Sequence, residues 1–422
     1  MGYADSYLDK QKDFSPIISE NPYENVRFSI IIPCYNEHHI ERTLNSLWLC
    51  DRPKSGAEVI IAINSSTNAS PEIINQNKKT FLELKEWTKN HIDPILRFHV
   101  INIENIPEKV AGAGYARKLA MDEAIYRFNK CLKEDGVIIS LDADALCRTN
   151  YLTEIENLFD TKPKTNAATI YFEHPTTGNE FELSVYEAIT KYELYLRYYK
   201  NALEYCGFPY PFYTIGSCFA VSAKAYIKQG GMSKKQAGED FYFLQKIFSL
   251  GSIEELNTTC IYPSPRPSDR VVFGTGPVVK SLIENPDQPY LTFDFNAFLD
   301  LKLFFQQVDR FYRIDKNELN DMLYQLPLPL AGYLSENNFF DAIEEINKNS
   351  SNIKTFKKRF FDWFNAFKII KYLNFVHEKF YKKQELLAEC ERLLVAMKIK
   401  NKPKENTCLD YLSFLREKET KF

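Results

Sequence analysis

The sequence predicts an α/β protein: a mostly parallel, Rossmann-like central sheet flanked by helices, with an added helical region at the C-terminal end. Three observations carry this reading. Apolar runs of strand length alternate with amphipathic helical stretches from Arg27 to about residue 172, the signature of successive β-α-β units. From about residue 285 onward the pattern becomes helical, aromatic and lysine-rich. With 45% hydrophobic and 14% aromatic residues in a chain of 422, there is apolar material for two or three packed domains.

Strands are expected at 28–32, 58–63, 96–103, 137–141 and 167–172. Pro33 should end the first of them, since it has no N–H to donate. Helices are expected at 39–49, at 71–89 after a run rich in Asn, Ser and Thr, and at 115–133, where Ala116, Leu119, Ala120, Ala124 and Phe128 recur at helical spacing. Right-handed crossovers then align the strands in parallel. A second stretch holds a tyrosine-rich helix (Tyr186 to Tyr199), an aromatic loop at 208–213, a strand near 217–222 and a helix after Asp240. These elements divide the chain into an irregular arm at 1–25, an α/β domain at 26–280 and a helical region at 281–422. The tyrosines and the aromatic loop suit either a core or stacking on sugar faces.

Charge and cysteine content narrow the function classes. A formal net charge of −3 gives no global basic field, so nucleic acid is not an expected partner. No run approaches the ~18 apolar residues of a membrane helix, and residues 1–11 are polar. A cytoplasmic location is expected, with peripheral contact at the inner face of a membrane as the most that the Phe- and Lys-rich runs at 293–305 and 354–371 suggest. The nine cysteines are scattered without a Cys-x-x-Cys pair, which fits reduced thiols packed in cores. The histidines show no metal-ligand spacing.

The chemistry concentrates at Leu141-Asp142-Ala143-Asp144, directly after the apolar run 137–140. Ligands of open α/β sheets gather beyond the carboxyl ends of the strands, so Asp142 and Asp144 should face a cleft. Two such carboxylates hold Mn²⁺ or Mg²⁺, with water and substrate phosphate completing the shell. Taken alone, the same spacing also suits a turn that leads into a helix at Tyr151.

Four further stretches accompany the pair in order: Ile30-Ile31-Ile32-Pro33-Cys34-Tyr35-Asn36-Glu37, Gly112-Ala113-Gly114-Tyr115-Ala116-Arg117, Gly216-Ser217-Cys218-Phe219-Ala220-Val221 and Gly238-Glu239-Asp240. Together with Asp142-Ala143-Asp144 they resemble the motifs of family 2 glycosyltransferases over residues 26–265. The resemblance implies a GT-A fold and a nucleotide-sugar donor. It implies that Pro33, Tyr35 and Glu37 meet the nucleoside, Gly114 and Arg117 the diphosphate, and Asp142 and Asp144 the metal. Gly216 and Ser217 would lie on the acceptor side, with Asp240 as catalytic base beside Glu239. Asn64 stands where the family carries an aspartate that helps to read the base; an amide donates as well as accepts, so a GDP-sugar is as acceptable as a UDP-sugar. The acceptor would be a carbohydrate or a lipid-linked molecule.

The residues supply mechanism and alternatives. A neighbouring acid and burial raise a carboxylate's pKa, which makes Asp240 a usable base; the same two acids also suit the N-terminal end of a helix. Direct displacement by the acceptor inverts the anomeric centre. Arg266 and Arg270 lie in a Pro- and Gly-punctuated segment, 262–276, that reads as a lid over the diphosphate or as a linker. The Gln-x-x-Arg-Trp motif of processive synthases is missing, which favours single transfer. A nucleotidyltransferase would carry a glycine-rich basic loop after the first strand, and 33–38 has neither Gly nor Lys. A non-catalytic relative fits Asn64 but not the joint presence of Asp142, Asp144 and Asp240. A dinucleotide site is excluded because Arg117 occupies the third glycine position of the fingerprint.

Overall fold

The computed structural model describes residues 2–12, 14–234, 238–268 and 274–420. Among them, eight strands form one sheet in the order β3-β2-β1-β4-β7-β6-β8-β5. They are β1 (Val26–Cys34), β2 (Gly56–Ser66), β3 (Leu96–Ile106), β4 (Val137–Ser140), β5 (Leu146–Cys147), β6 (Ala167–Phe172), β7 (Phe219–Ser222) and β8 (Ile253–Tyr262). β1, β2, β3 and β4 pair in parallel, as do β6 and β8. β7 runs antiparallel between β4 and β6, and β5 antiparallel to β8. The predicted α/β class with a mostly parallel sheet and C-terminal helices is what the chain adopts.

Pro33 does not end the first strand as expected; β1 continues to Cys34, with Pro33 opposite Ala62 of β2. Residues of a parallel strand turn their N–H and C=O groups to one neighbour and then the other. Ile31 offers its carbonyl to Leu141 on the β4 side, so Pro33, two residues on, also faces that side, where β4 has already ended. Its missing N–H therefore costs the β1–β2 ladder nothing.

Two compact units result: residues up to Val185 with Thr214–Lys280, and Tyr186–Tyr213 with the residues from Ser281 on. The α/β domain expected as one piece at 26–280 is thus interrupted. Among the described residues the first unit holds the helices α1 (Asp5–Leu8), α2 (Ile40–Trp48), α3 (Pro71–Asn90), α4 (Ala113–Lys130), α5 (Tyr151–Thr161), α7 (Ala223–Lys228) and α8 (Glu239–Phe248); α6 (Leu183–Tyr205) and the helix Thr275–Glu284 pass from it into the second.

The N-terminal arm is anchored rather than loose. Ala4, Tyr7 and Ile18 are buried, and the Ala4 and Ile17 amides donate to Asn129 and Glu123 on α4 at 2.8 and 2.9 Å. Tyr7 and Tyr226 hydroxyls both donate to the buried carboxylate of Asp122, at 2.6 and 2.9 Å. With sheet and arm both packed on it, α4 buries Arg117, Lys118, Asp122, Glu123 and Arg127 as well as its apolar residues. This double burial explains its weak amphipathic pattern.

In the second unit the aromatic residues meet one another. Tyr198 packs edge-on to Phe298 at 5.9 Å and Tyr205 lies 5.4 Å from Phe295; Phe304 contacts Phe311, Phe339, Phe360 and Phe364. The rings from 293–305 and 354–371 that suggested a membrane face are therefore largely core, and so is most of the tyrosine helix. A buried ion network joins α6 to the helix Cys408–Thr420: Glu193 accepts from Arg197 (2.8 Å) and Arg416 (2.7 Å), and Glu419 accepts from Arg197 and the Tyr213 hydroxyl. A short antiparallel pair, Leu291–Thr292 with Gln384–Glu385, interrupts a region in which no strand was expected. Among the described residues no helix is long and apolar enough to cross a membrane.

Candidate active site

β4 ends at Ser140, and from Leu141 to Ala145 burial alternates residue by residue, with Leu141, Ala143 and Ala145 inside. Asp142 and Asp144 thus share the open side, their side chains 39% and 35% exposed. Thr43 on α2 fixes the turn between them by donating its hydroxyl to the Ala143 carbonyl at 2.9 Å.

Each aspartate is joined through an arginine to a glutamate. Arg117, only 3% exposed, donates to Asp142 at 2.7 Å and, through its other terminal nitrogen, to Glu239. Arg266, just beyond β8, donates to Asp144 at 3.0 Å and to both oxygens of Glu37 at 3.1 and 2.7 Å. Glu37 in turn accepts from the His38 and His39 amides ahead of α2. Asp240 follows Glu239 at the start of α8, after Gly238 in the left-handed conformation (φ 66°). Burial, then the charge of Glu239, push its pKa up to about 6 against the pull of Arg117. Among the described residues, five carboxylates here meet two guanidinium groups.

Residues 29–229 match Glycosyl transferase family 2. This part of the chain belongs to that family. Among solved structures it is similar to S. aureus TarS 1–349 in complex with UDP-GlcNAc, at 16% identity over 94% of this chain and 89% of that one, with a TM-score of 0.40. It is also similar to the mannosyltransferase PcManGT from Pyrobaculum calidifontis in complex with GDP-Man and Mn²⁺, at 15% identity over 99% and 92%, with a TM-score of 0.33. No curated protein matches in sequence. The assignment of the glycosyltransferase domain rests on the family match.

Within this glycosyltransferase domain the structure gives several predicted residues partners other than those expected. Arg117, expected on a diphosphate, is pinned inside between Asp142 and Glu239, and its Nε is buried without a hydrogen-bond partner. Glu37, expected to accept from the nucleoside, is buried with its carboxylate on Arg266. Asn64, expected to read a base, is buried too: its amide donates to the Cys34 carbonyl at 3.0 Å, and Asn77 donates to its backbone carbonyl at 2.8 Å. Its side-chain Nδ2 thus ties β2 to β1. Tyr35 is half-buried and Gly114 is the buried second residue of α4. Ser217 is buried with its hydroxyl 3.3 Å from the Cys218 sulfur. Arg270 lies outside the described residues.

Sequence reasoning did not find Thr43 or Asn77. Each is a polar residue on the buried face of a helix, and only the fold shows which backbone group it serves. Nor did it find the close approach at Gly216. A Cβ there would come within 3.1 Å of both Arg117 Nη2 and Asp240 Oδ2. Gly216→Ala is therefore expected to spread these two groups and to lower kcat/KM by up to ~10²-fold, as sub-ångström to ångström misplacements do, with little change in thermal midpoint. A variant as active as the parent would show that the two groups need not be so close.

Proposed function

We propose that the chain transfers a sugar from a nucleoside-diphosphate donor, a UDP- or GDP-sugar, to an acceptor hydroxyl, with inversion, dependence on a divalent cation and one transfer per encounter. The observation that carries the reading is the charge of the site. Among the described residues, carboxylates outnumber guanidinium groups there, and their charge would repel a diphosphate unless a cation came with it. Asp142 and Asp144 fit that cation: they are two half-exposed hard ligands on one side of a fixed turn. Among the described residues no group of three or more His, Cys, Asp or Glu could hold a metal, so phosphate oxygens and water would supply the remaining ligands, as Mg²⁺ and Mn²⁺ accept. Bound there, the ion would supply charge stabilisation to the departing diphosphate.

The protein's own groups do the rest. Asp240 takes the proton of the acceptor hydroxyl; a carboxylate with a pKa about 6 is ionised at neutral pH and more basic than an ordinary one. Arg117 keeps Asp142 and the Glu239-Asp240 turn in register. Arg266, already on Asp144, is the guanidinium we assign to the leaving diphosphate, in a forked contact of the kind it now makes with Glu37. Direct attack from the side of Asp240 inverts the sugar carbon. Single transfer is the reading of a chain without the processive motif.

Titration with UDP and with GDP, each with and without Mn²⁺, tests this. One of the two diphosphates is expected to bind with Mn²⁺ and to be lost in Asp144→Ala, whose half-exposed position makes little difference to stability. Equal affinity in chelator and in Mn²⁺ would overturn the metal dependence.

A further inference from the structure

Two thiols face each other beside the site. Cys50, two residues beyond α2, and Cys147, the second residue of β5, bring their Sγ atoms to 3.6 Å, and both are buried, at 3% and 8% exposure. Their neighbours hold them in place: Cys50 Sγ donates to the Ser46 carbonyl at 3.3 Å, and Ser46 Oγ accepts from the Cys147 amide at 3.4 Å. The two are not equivalent. The hydrogen bond from Cys147, helped by Arg52, holds the Cys50 thiol below its ordinary pKa against the effect of burial, while the Cys147 thiol is raised. Two thiols already in contact, one of them held below its ordinary pKa, share the pairing of an attacking and a resolving sulfur found in oxidisable cysteine pairs.

We propose that Cys50 and Cys147 are an oxidative modification site, closing to an intrachain disulfide that ties the Asp142–Asp144 turn to the end of α2. With hydrogen peroxide as oxidant, the Cys50 thiolate attacks one peroxide oxygen. An S–O bond forms, the O–O bond breaks, and the departing hydroxide takes a proton to leave as water. The Cys147 sulfur then attacks the sulfenic sulfur; the S–S bond forms, the S–O bond breaks and a second water leaves with the Cys147 proton. Two thiols are oxidised by two electrons and one peroxide is reduced to two waters. To bond, the sulfurs must close from 3.6 Å to about 2.05 Å. The movement falls on β5, which is two residues long and, among the described residues, pairs with β8 alone, so the pull reaches Asp144, three residues back in the chain.

The test uses the full chain, reduced, desalted and treated with a small excess of hydrogen peroxide. It is then alkylated in denaturant and digested without reductant. The expected product is a peptide pair joined through Cys50 and Cys147, two hydrogens lighter than the free peptides, reversed by dithiothreitol and absent from Cys147→Ser. Oxidation of the half-exposed Cys131 and Cys408 while Cys50 and Cys147 stay alkylatable would overturn the site. A second arm rests on the proposed function: Mn²⁺-dependent UDP or GDP binding should be weaker after oxidation, recover with dithiothreitol, and be insensitive to peroxide in Cys147→Ser. A cross-link with unchanged affinity would overturn the effect on the turn. If neither diphosphate binds the reduced protein, the proposed function fails while the cross-link result still decides the site.

Discussion

Asp240→Asn is expected to leave donor binding intact and to lower sugar transfer by roughly 10²–10⁴-fold, the usual contribution of a positioned general base. The substitution keeps the shape and removes the proton acceptor. The parent enzyme's pH profile provides a second check. Burial and Glu239 raise the Asp240 pKa to about 6, so the base is lost by protonation as pH falls through that value, and below it the rate should drop about tenfold per pH unit. An unperturbed aspartate would hold the rate to about pH 4. The same shift has a stability consequence of opposite sign to that of a salt-bridged acid. The folded state binds this proton more tightly than the unfolded chain, so Asp240 adds stability only while it is protonated. That contribution disappears as pH rises from about 4 through about 6. Asp240→Asn should therefore unfold no earlier than the parent at pH 7. Near-parental turnover in this variant would move the base elsewhere.

The second large effect is on stability. Arg117→Met is expected to cost about 3 kcal/mol in urea unfolding at pH 7, because removing one member of a buried ion group strands the others. Glu239 is 9% exposed on its side chain and Asp142 39%, so the penalty falls mainly on Glu239 and sits at the lower end of the range for buried pairs. Arg117→Lys should recover part of the loss only, since one ammonium cannot span two carboxylates as a planar fork does. An unchanged midpoint in Arg117→Met would mean that the bridge contributes nothing.

What could be read in the sequence and what could not divides along physical lines. β1, β2 and β4 were legible because strands buried on both faces need uninterrupted apolar runs. β8 was not: it carries Glu254, Glu255, Asn257 and Thr258, and its first half is largely accessible. The end of β1 was misplaced by two residues because the cost of a proline depends on which neighbour its nitrogen faces. For the site, the type and order of residues at 37, 117, 142, 144, 239 and 240 could be read from the motifs. The pairing of each aspartate with its own arginine could not, since Arg117 and Arg266 lie 25 and 122 residues from their partners. The bond from Asn64 to the Cys34 carbonyl was not legible either: an amide at a strand end serves either a ligand or the neighbouring strand, and spacing does not distinguish the two.

The division of the chain into two discontinuous units bears on how the polypeptide is made and cut. α6 is synthesised long before what it packs against: Phe293 and Phe298 follow Tyr198 by about a hundred residues, and Glu419 follows Arg197 by 222. At ordinary translation speeds, on the order of ten seconds or more pass before that helix can bury its arginine and tyrosines. During that interval it is a natural client for chaperones. A gene shortened at residue 280 would make the wait permanent. The catalytic unit is therefore better isolated by replacing 186–213 with a short polar linker than by stopping the chain early.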